Sequence, residues 1–180
     1  MGIGRITSFL NWLSRSKEPT ATDAVPDEAA ERKAESLSEQ SLSHERQQND
    51  SNHIAAQLQT MVGAVRALND NATEQGAALA VSPAGLQLKN AVIGLGHLLA
   101  AVDGRAMATG AAAPVREAAN VADAVETSLA ATQSAAAQLL RSLPAEQAER
   151  IRSVSDGFQR DMRTALAQVR DALQGLHALS

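Results

Sequence analysis

Four stretches of the chain repeat apolar residues at alternating steps of three and four, and this spacing restricts the fold more than any other feature. Such a period places the apolar side chains on one face of an α-helix, and that face is stable only when it is buried against another helix. No stretch shows the alternation of apolar and polar residues that is typical of a strand. The sequence therefore predicts an all-α fold, an antiparallel helical bundle with seams like those of a coiled coil.

The four predicted seams lie between residues 51 and 180 and are separated near Pro83, Gly104 and Pro144. Ser82 with Pro83 is expected to open the second helix, as Asp50 or Ser51 is expected to cap the first. The seam residues are Ile54, Leu58, Met61, Val65, Leu68 and Ala72; Leu88, Val92, Leu95, Leu99 and Val102; Val115, Ala118, Ala122, Val125, Leu129, Thr132, Ala136, Leu139 and Leu143; and Ile151, Val154, Phe158, Met162, Ala165, Val169, Ala172, Leu176 and Leu179.

Alanine, leucine and valine must supply the core, because aromatic residues make up only 2% of the chain. Alanine is the best helix former but buries little area per residue. Leu166 and Leu173 widen the apolar face of the last helix, which favours a bundle over a bare coiled-coil dimer. Alanine-rich seams suit closure within one chain as well as between chains, so the sequence leaves the oligomeric state open. The chain has no cysteine, which excludes disulfides and zinc-thiolate sites.

The net charge of −4 is distributed unevenly along the chain. Residues 1–17 contain three basic residues and no acid, whereas residues 18–50 contain nine acidic and three basic residues. Charge blocks of this kind indicate separate physical environments within one chain. The sequence therefore predicts three parts: a basic amphipathic docking helix at 1–17, an acidic polar linker at 18–50 and a four-helix bundle at 51–180.

The first part places its large apolar residues on one side of a helix, with Trp12 and Arg5 at the edge of that side. An indole at the border and basic side chains beside it suit an anionic membrane surface or the acidic rim of a partner's groove. A helix this short is largely unfolded when alone in water, so we expect reversible docking. The predicted docking residues are Ile3, Arg5, Ile6, Phe9, Leu10, Trp12, Leu13, Arg15 and Lys17.

Two other interpretations of residues 1–17 stay open. The segment is amphipathic, basic, free of acids and contains serine, which is also typical of a mitochondrial-type presequence. Alternatively, it folds back onto the bundle as one more core element. Its interrupted apolar pattern disfavours a secretory signal, and it is too short to span a membrane. We therefore expect a cytoplasmic protein, or one exported by a route that needs no signal peptide.

The acidic linker has no sustained apolar stripe, since Leu37 and Leu42 are its only leucines. Such a composition buries too little surface to offset the entropy lost on ordering. The run 27–35 has good helix propensity and follows Pro26, which suits the first turn of a helix. We expect a transient or solvent-exposed helix within a largely disordered segment, which serves as a tether or as a plain spacer.

The sequence contains no recognisable catalytic constellation. Four histidines lie far apart: His44, His53, His97 and His177. His97 interrupts an apolar run, and we expect a satisfied histidine inside the bundle rather than a buried switch or a metal ligand. Gly94 and Gly96 begin like a dinucleotide-binding fingerprint, but Leu99 stands at the place of the third glycine, so they indicate close helix packing.

Arginines near the C-terminus alternate with acidic residues, which is typical of a solvated helix face with ion pairs between neighbouring turns. These arginines are Arg141, Arg150, Arg152, Arg160, Arg163 and Arg170. Binding of single-stranded nucleic acid needs a basic stripe with aromatic residues, which this pattern lacks. We therefore expect no nucleic-acid partner, no cofactor, no metal and no enzymatic activity.

In general arrangement the chain resembles secreted bacterial effector or translocator-type proteins, in which a Ser-rich N-terminus precedes a helical domain. It is also similar to cargo proteins of protein-shelled compartments, which dock through a short amphipathic helix on a flexible linker. Neither resemblance assigns a role to a residue. The predicted function is a non-enzymatic interaction protein that docks reversibly to a membrane surface or a partner's groove. The alternative is a self-assembling structural or secreted effector-type protein, a homo-oligomer whose helices pack between subunits.

Overall fold

A computed structural model of the chain describes residues 28–178. These residues form an all-α structure in which four helices pack as a bundle, and no strand occurs among them. The helices are α1 (Glu28–Gln75), α2 (Pro83–Ala100), α3 (Ala112–Leu140) and α4 (Ala145–His177). The predicted fold class is confirmed at this level.

The first helix begins much earlier than the sequence analysis placed it. Neither Asp50 nor Ser51 caps its start, because α1 runs unbroken from Glu28 and Ser51 is buried in its interior. The reason is local propensity: no glycine or proline interrupts the chain between Glu28 and Val62. Residues 35–50 are all exposed. The boundary between two compact units of the chain lies within α1, after Ser41. The second unit contains all the buried residues among those described.

Short irregular segments separate the helices, and the predicted breakers are found there. A 3₁₀ segment, Gly76–Val81, follows α1 and begins with Gly76 at a φ of 51°, a conformation that glycine adopts most readily. The predicted start of α2 is confirmed, since the Ser82 hydroxyl accepts a hydrogen bond of 3.1 Å from the Gly85 amide. Between α2 and α3, Asp103 caps a helical turn (Gly104–Ala106) that leads into a π-type turn (Met107–Ala111).

Most residues of the predicted seams are buried or partly buried, and the exceptions lie where α3 ends and α4 begins. All five predicted residues of the α2 seam are buried. Val62 is fully buried although the predicted seam left it out, because α1 packs with a wider face than a two-helix seam. Leu139 and Val154 were predicted as core residues, and that prediction is wrong: they are 39% and 47% exposed.

Contacts between the helices show their relative directions. Gly85 lies against Phe158 and Gly96 against Val169, so α2 and α4 run in the same direction where they touch. Gln159 bonds to Leu129 whereas Arg170 bonds to Asp123, so α3 and α4 run in opposite directions. These packings bring the start of α2, the end of α3 and the start of α4 to the same end of the bundle as the 3₁₀ segment.

No single helix within residues 28–178 is long and apolar enough to cross a membrane. The segments Pro83–Ala100 and Gly104–Leu140 reach the required length and hydropathy only together, and they are bent by 94° relative to each other.

Candidate functional site

The predicted docking residues, from Ile3 to Lys17, lie outside the residues that the structure describes. Their role stays a prediction. The candidate sites within residues 28–178 are an exposed apolar surface, an apolar groove and a buried polar layer, and the sequence analysis singled out none of them as a site.

The exposed apolar surface lies at the end of the bundle where α2 and α4 begin. It is formed by Val81, Leu86, Leu139 and Val154, which are 68%, 56%, 39% and 47% exposed. We call these four residues the end patch. The other large hydrophobic residues that are exposed in the described part of the chain, Leu37 and Leu42, lie elsewhere, on the first half of α1. Single exposed apolar residues are common, whereas several that share neighbouring depressions form a candidate surface for interaction.

Two shallow depressions join the residues of the end patch. One, of about 350 Å³, is lined by Val81, Leu139 and Ile151. The other, of about 210 Å³, is lined by Leu86 and Val154. Ala80 belongs to both depressions, which makes the surface continuous across the 3₁₀ segment.

The charged residues that line these depressions are one lysine and one aspartate. Lys89 Nζ donates a hydrogen bond of 3.0 Å to Asp161 Oδ2, and the two side chains are 24% and 56% exposed. Because Lys89 and Asp161 form an ion pair, their charges offset each other in the lining of these depressions.

An apolar groove of about 620 Å³ runs between α1 and α2. Its lining includes Ala56, Met61, Gly94 and Leu98. A Cβ placed on Gly94 would lie 3.2 Å from the Met61 methyl group, so the two helices approach closely here, as the glycines in the sequence predict. His53 is on the rim and forms a hydrogen bond of 2.9 Å with Gln57.

A buried polar layer lies where α3 faces α4. Its members are buried: Ser128, Thr132, Ser155 and Gln159. Gln159 Nε2 donates a 3.2 Å hydrogen bond to the Leu129 carbonyl, which also accepts a 2.9 Å hydrogen bond from Thr132 Oγ1. Gln159 Oε1 has no hydrogen-bond partner, and leaving a buried acceptor unpaired costs stability.

Thr132 belongs to a predicted seam, whereas the other three members of the polar layer do not. A signal was present: Gln159 stands seven residues before Leu166, which itself stands seven before Leu173. Residues seven apart lie on nearly the same face of a helix. Gln159 therefore lies on the same side of α4 as Leu166 and Leu173, which widen its apolar face.

The structure places the histidines away from any cluster of possible metal ligands. His97 was expected inside the bundle, and that expectation is wrong. The side chain is exposed because His97 lies beside the apolar face of α2 and not on it. Among residues 28–178, no group of three or more histidines and carboxylates is close enough to hold a metal ion.

Ion pairs connect the surfaces of α3 and α4. Arg170 bonds to both Asp123 and Glu126. The hydrogen bond and charge of Arg170 lower the pKa of Glu126, and the same hydrogen bond raises the pKa of Arg170 above its ordinary value. On α4 itself, Arg150 pairs with Glu146 four residues away, so the predicted pairing between neighbouring turns is confirmed there.

In comparisons with known proteins, no family model, no curated protein and no solved structure matches this chain.

Proposed function

We propose that the protein is a non-enzymatic interaction protein that docks reversibly through its N-terminal segment. In this proposal residues 1–17 form a basic amphipathic helix, residues 18–50 act as an acidic tether, and an antiparallel, alanine-rich bundle is the body that is brought to the target. The target is an anionic membrane surface or the acidic-rimmed groove of a protein.

The observation that carries the proposal is the pattern of the first part. Basic residues without any acid accompany a single apolar side that ends in Trp12. This combination is typical of helices that lie at a membrane interface, where buried apolar area and attraction to anionic lipids add together. The exposure of residues 35–50 supports a tether, because no described side chain in that stretch contributes to the core.

Trp12 is the chain's only tryptophan, so its fluorescence tests the proposal directly. The emission is recorded with anionic vesicles, with neutral vesicles and without lipid. We expect a blue shift with anionic vesicles that salt reverses, because the indole enters the interface while screening weakens the attraction. A red emission in all conditions would indicate a protein target instead of a membrane.

A matched pair of variants separates docking by the apolar side from simple charge attraction. Leu10→Glu places a carboxylate on the apolar side, whereas Asn11→Glu places one on the polar side with the same change in net charge. We expect Leu10→Glu to abolish the shift and Asn11→Glu to retain most of it. An emission that is already blue without lipid and does not change would overturn the docking proposal, since residues 1–17 would then be buried in the protein itself.

Self-association through the bundle is a second candidate function, and the end patch favours it. Alanine-rich helices with an exposed apolar surface at one end are suited to contacts between subunits. The two functions are compatible, because the residues proposed for docking and those of the end patch are different.

A further inference from the structure

We propose that residues 134–157 open as a unit while the rest of the bundle stays folded. These residues comprise the end of α3 after Gln133, the connecting turn and the start of α4 before Phe158. We call them the hairpin tip. The inference is independent of docking through residues 1–17 and of self-association.

The hairpin tip contributes nothing to the contiguous apolar core. In α3 that core ends at Leu129, and in α4 it begins at Phe158. The buried residues of the tip are small or polar, and its larger apolar side chains are half-buried or exposed. The buried residues are Ala136, Ala148 and Ser155, and the larger apolar ones are Leu139, Leu140, Leu143, Ile151 and Val154. Because stabilisation follows the apolar area that is buried, opening the tip costs much less free energy than unfolding the bundle.

Polar side chains do not attach the hairpin tip to the bundle either. Its ion pairs lie within α4, between neighbouring turns. No side-chain hydrogen bond or ion pair joins residues 134–157 to another part of the described chain. The side-chain hydrogen bonds that link α4 to other helices all involve Gln159 or residues after it.

The buried polar layer lies where the hairpin tip meets the core. In the closed bundle Gln159 Oε1 has no hydrogen-bond partner. When the tip separates, water reaches this atom and supplies the missing hydrogen bond, which offsets part of the cost of opening.

The packing around the hairpin tip is open on two sides. A cleft of about 640 Å³ between α3 and α4 includes Gln159 in its lining. A depression of about 350 Å³ lies between the tip and the 3₁₀ segment, and its lining includes Leu139, Ile151 and Ser155. Water therefore has a short path to the polar layer once the tip moves.

Opening uncovers the core residues that border the hairpin tip, Leu129 and Phe158. Both are buried in the closed bundle, at 4% and 8% exposure. They lie at the end of the bundle that carries the end patch, so the open state presents a larger apolar surface there than the closed state. The hairpin tip is thus a gate that controls how much apolar surface the molecule exposes.

Thiol labelling of the full chain tests the proposal, because the chain has no cysteine of its own. Ala136→Cys places a thiol in the hairpin tip and Ala165→Cys places one in the core, at positions that are 4% and 3% exposed. We expect Ala136→Cys to be labelled at least about a hundredfold faster, since opening the tip does not require global unfolding. Low concentrations of urea should accelerate labelling of Ala165→Cys far more, because sensitivity to urea follows the surface exposed on opening.

Two substitutions at buried amides separate opening of the tip from global unfolding. Gln159→Leu should slow labelling of Ala136→Cys by about tenfold, because the closed state then contains no unpaired acceptor at this layer. The Leu129 carbonyl keeps its hydrogen bond from Thr132 in this variant. The matched control is Asn69→Leu in α1, which removes the other buried side-chain acceptor that is unpaired in the described chain. It should change labelling of Ala165→Cys only.

Circular dichroism establishes that each variant is folded before it is labelled. Equal labelling rates at Ala136→Cys and Ala165→Cys, with equal dependence on urea, would overturn the proposal. So would an Asn69→Leu variant that changes both rates by the same factor, since both thiols would then become accessible only on global unfolding.

Discussion

At the residue scale, Gly85 has the most restricted environment among the glycines of the described chain. A Cβ placed there would lie 2.0 Å from the carbonyl oxygen of Leu79, a backbone atom that cannot move aside independently. Gly85 also donates its amide to the Ser82 cap and lies against Phe158. This one residue therefore joins the 3₁₀ segment, the start of α2 and the side of α4.

Gly85→Ala is expected to lower the free energy of unfolding by about 1–3 kcal/mol, because the added methyl group must displace the 3₁₀ segment. The control is Gly157→Ala in α4, where nothing lies within 4 Å of the added Cβ. Since alanine has the higher helix propensity, the control should stabilise by about 0.5–1 kcal/mol. Urea unfolding of both variants measures the difference, and equal effects at the two positions would contradict the close approach at Gly85.

The same scale shows which residues the sequence could identify. Ser82 and Pro83 were predicted to start α2 because a capping hydroxyl and a fixed φ act within one turn. Gln159 was not predicted as a core residue, because a polar side chain becomes buried only when a neighbouring helix supplies partners such as the Leu129 carbonyl. Local chemistry is readable from the sequence, whereas partners thirty residues away are not.

At the element scale, α3 and α4 are joined by the buried polar layer and by the surface cluster of Arg170 with Asp123 and Glu126. Both interactions depend on the relative position of the two helices along their length. A shift of one helix by a turn would separate Gln159 from Leu129 and Arg170 from its two carboxylates. We infer that these contacts help to set the register of the pair, which apolar seams rich in alanine specify less sharply.

The Arg170 cluster predicts an acid dependence of stability. Because the pKa of Glu126 is lower in the folded protein than its ordinary value of 4.5, the folded state binds fewer protons than the unfolded state. The contribution of Glu126 is therefore fully present above its ordinary pKa and is lost as the pH falls through the lowered value.

Thermal melts of the unchanged chain and of Glu126→Gln, from neutral to acidic pH, measure this dependence. We expect the variant to melt at a slightly lower temperature near neutral pH and the two curves to converge in acid. The effect should be small because the cluster is exposed and screened by solvent. A difference between the two proteins that grows in acid would contradict the assigned sign.

The length of α1 shows a limit of reading elements from apolar periodicity. The seam from Ile54 onward was predicted, but the helix extends back to Glu28 and includes residues 35–50, which are all exposed. Periodicity reports the part of a helix that packs, whereas helix propensity and the absence of breakers decide how far it continues. The stretch was assigned to a linker because it has no apolar stripe.

At the scale of the whole molecule, residues 42–178 contain the complete buried core of the described structure. Its members extend from Leu58 to Leu176, and none lies in the first unit. We predict that a chain lacking residues 1–41 unfolds cooperatively at nearly the same melting temperature as the full chain, since it loses none of these contacts. Differential scanning calorimetry of the two chains measures this.

The same truncation addresses the alternative in which residues 1–17 fold back onto the bundle. A drop of several degrees in melting temperature on truncation would favour that alternative, because burying several large apolar side chains contributes on the order of 1.5–3 kcal/mol each. An unchanged melting temperature combined with loss of vesicle binding would instead assign docking to a segment within residues 1–41.

The sequence by itself determined the all-α class, the four packing seams and most of the breaks between helices. These follow from the period of apolar residues, from helix propensity and from the restricted backbone of proline, all of which act over a few residues. The tertiary structure decided which seam residues stay exposed, where polar groups are buried and how the ends of the helices meet. Leu139 and Val154 have seam spacing, yet neighbouring helices cover them only in part, and they form the end patch with Val81 and Leu86. Burial depends on what lies opposite a side chain, and that is a property of the packed molecule rather than of any one helix.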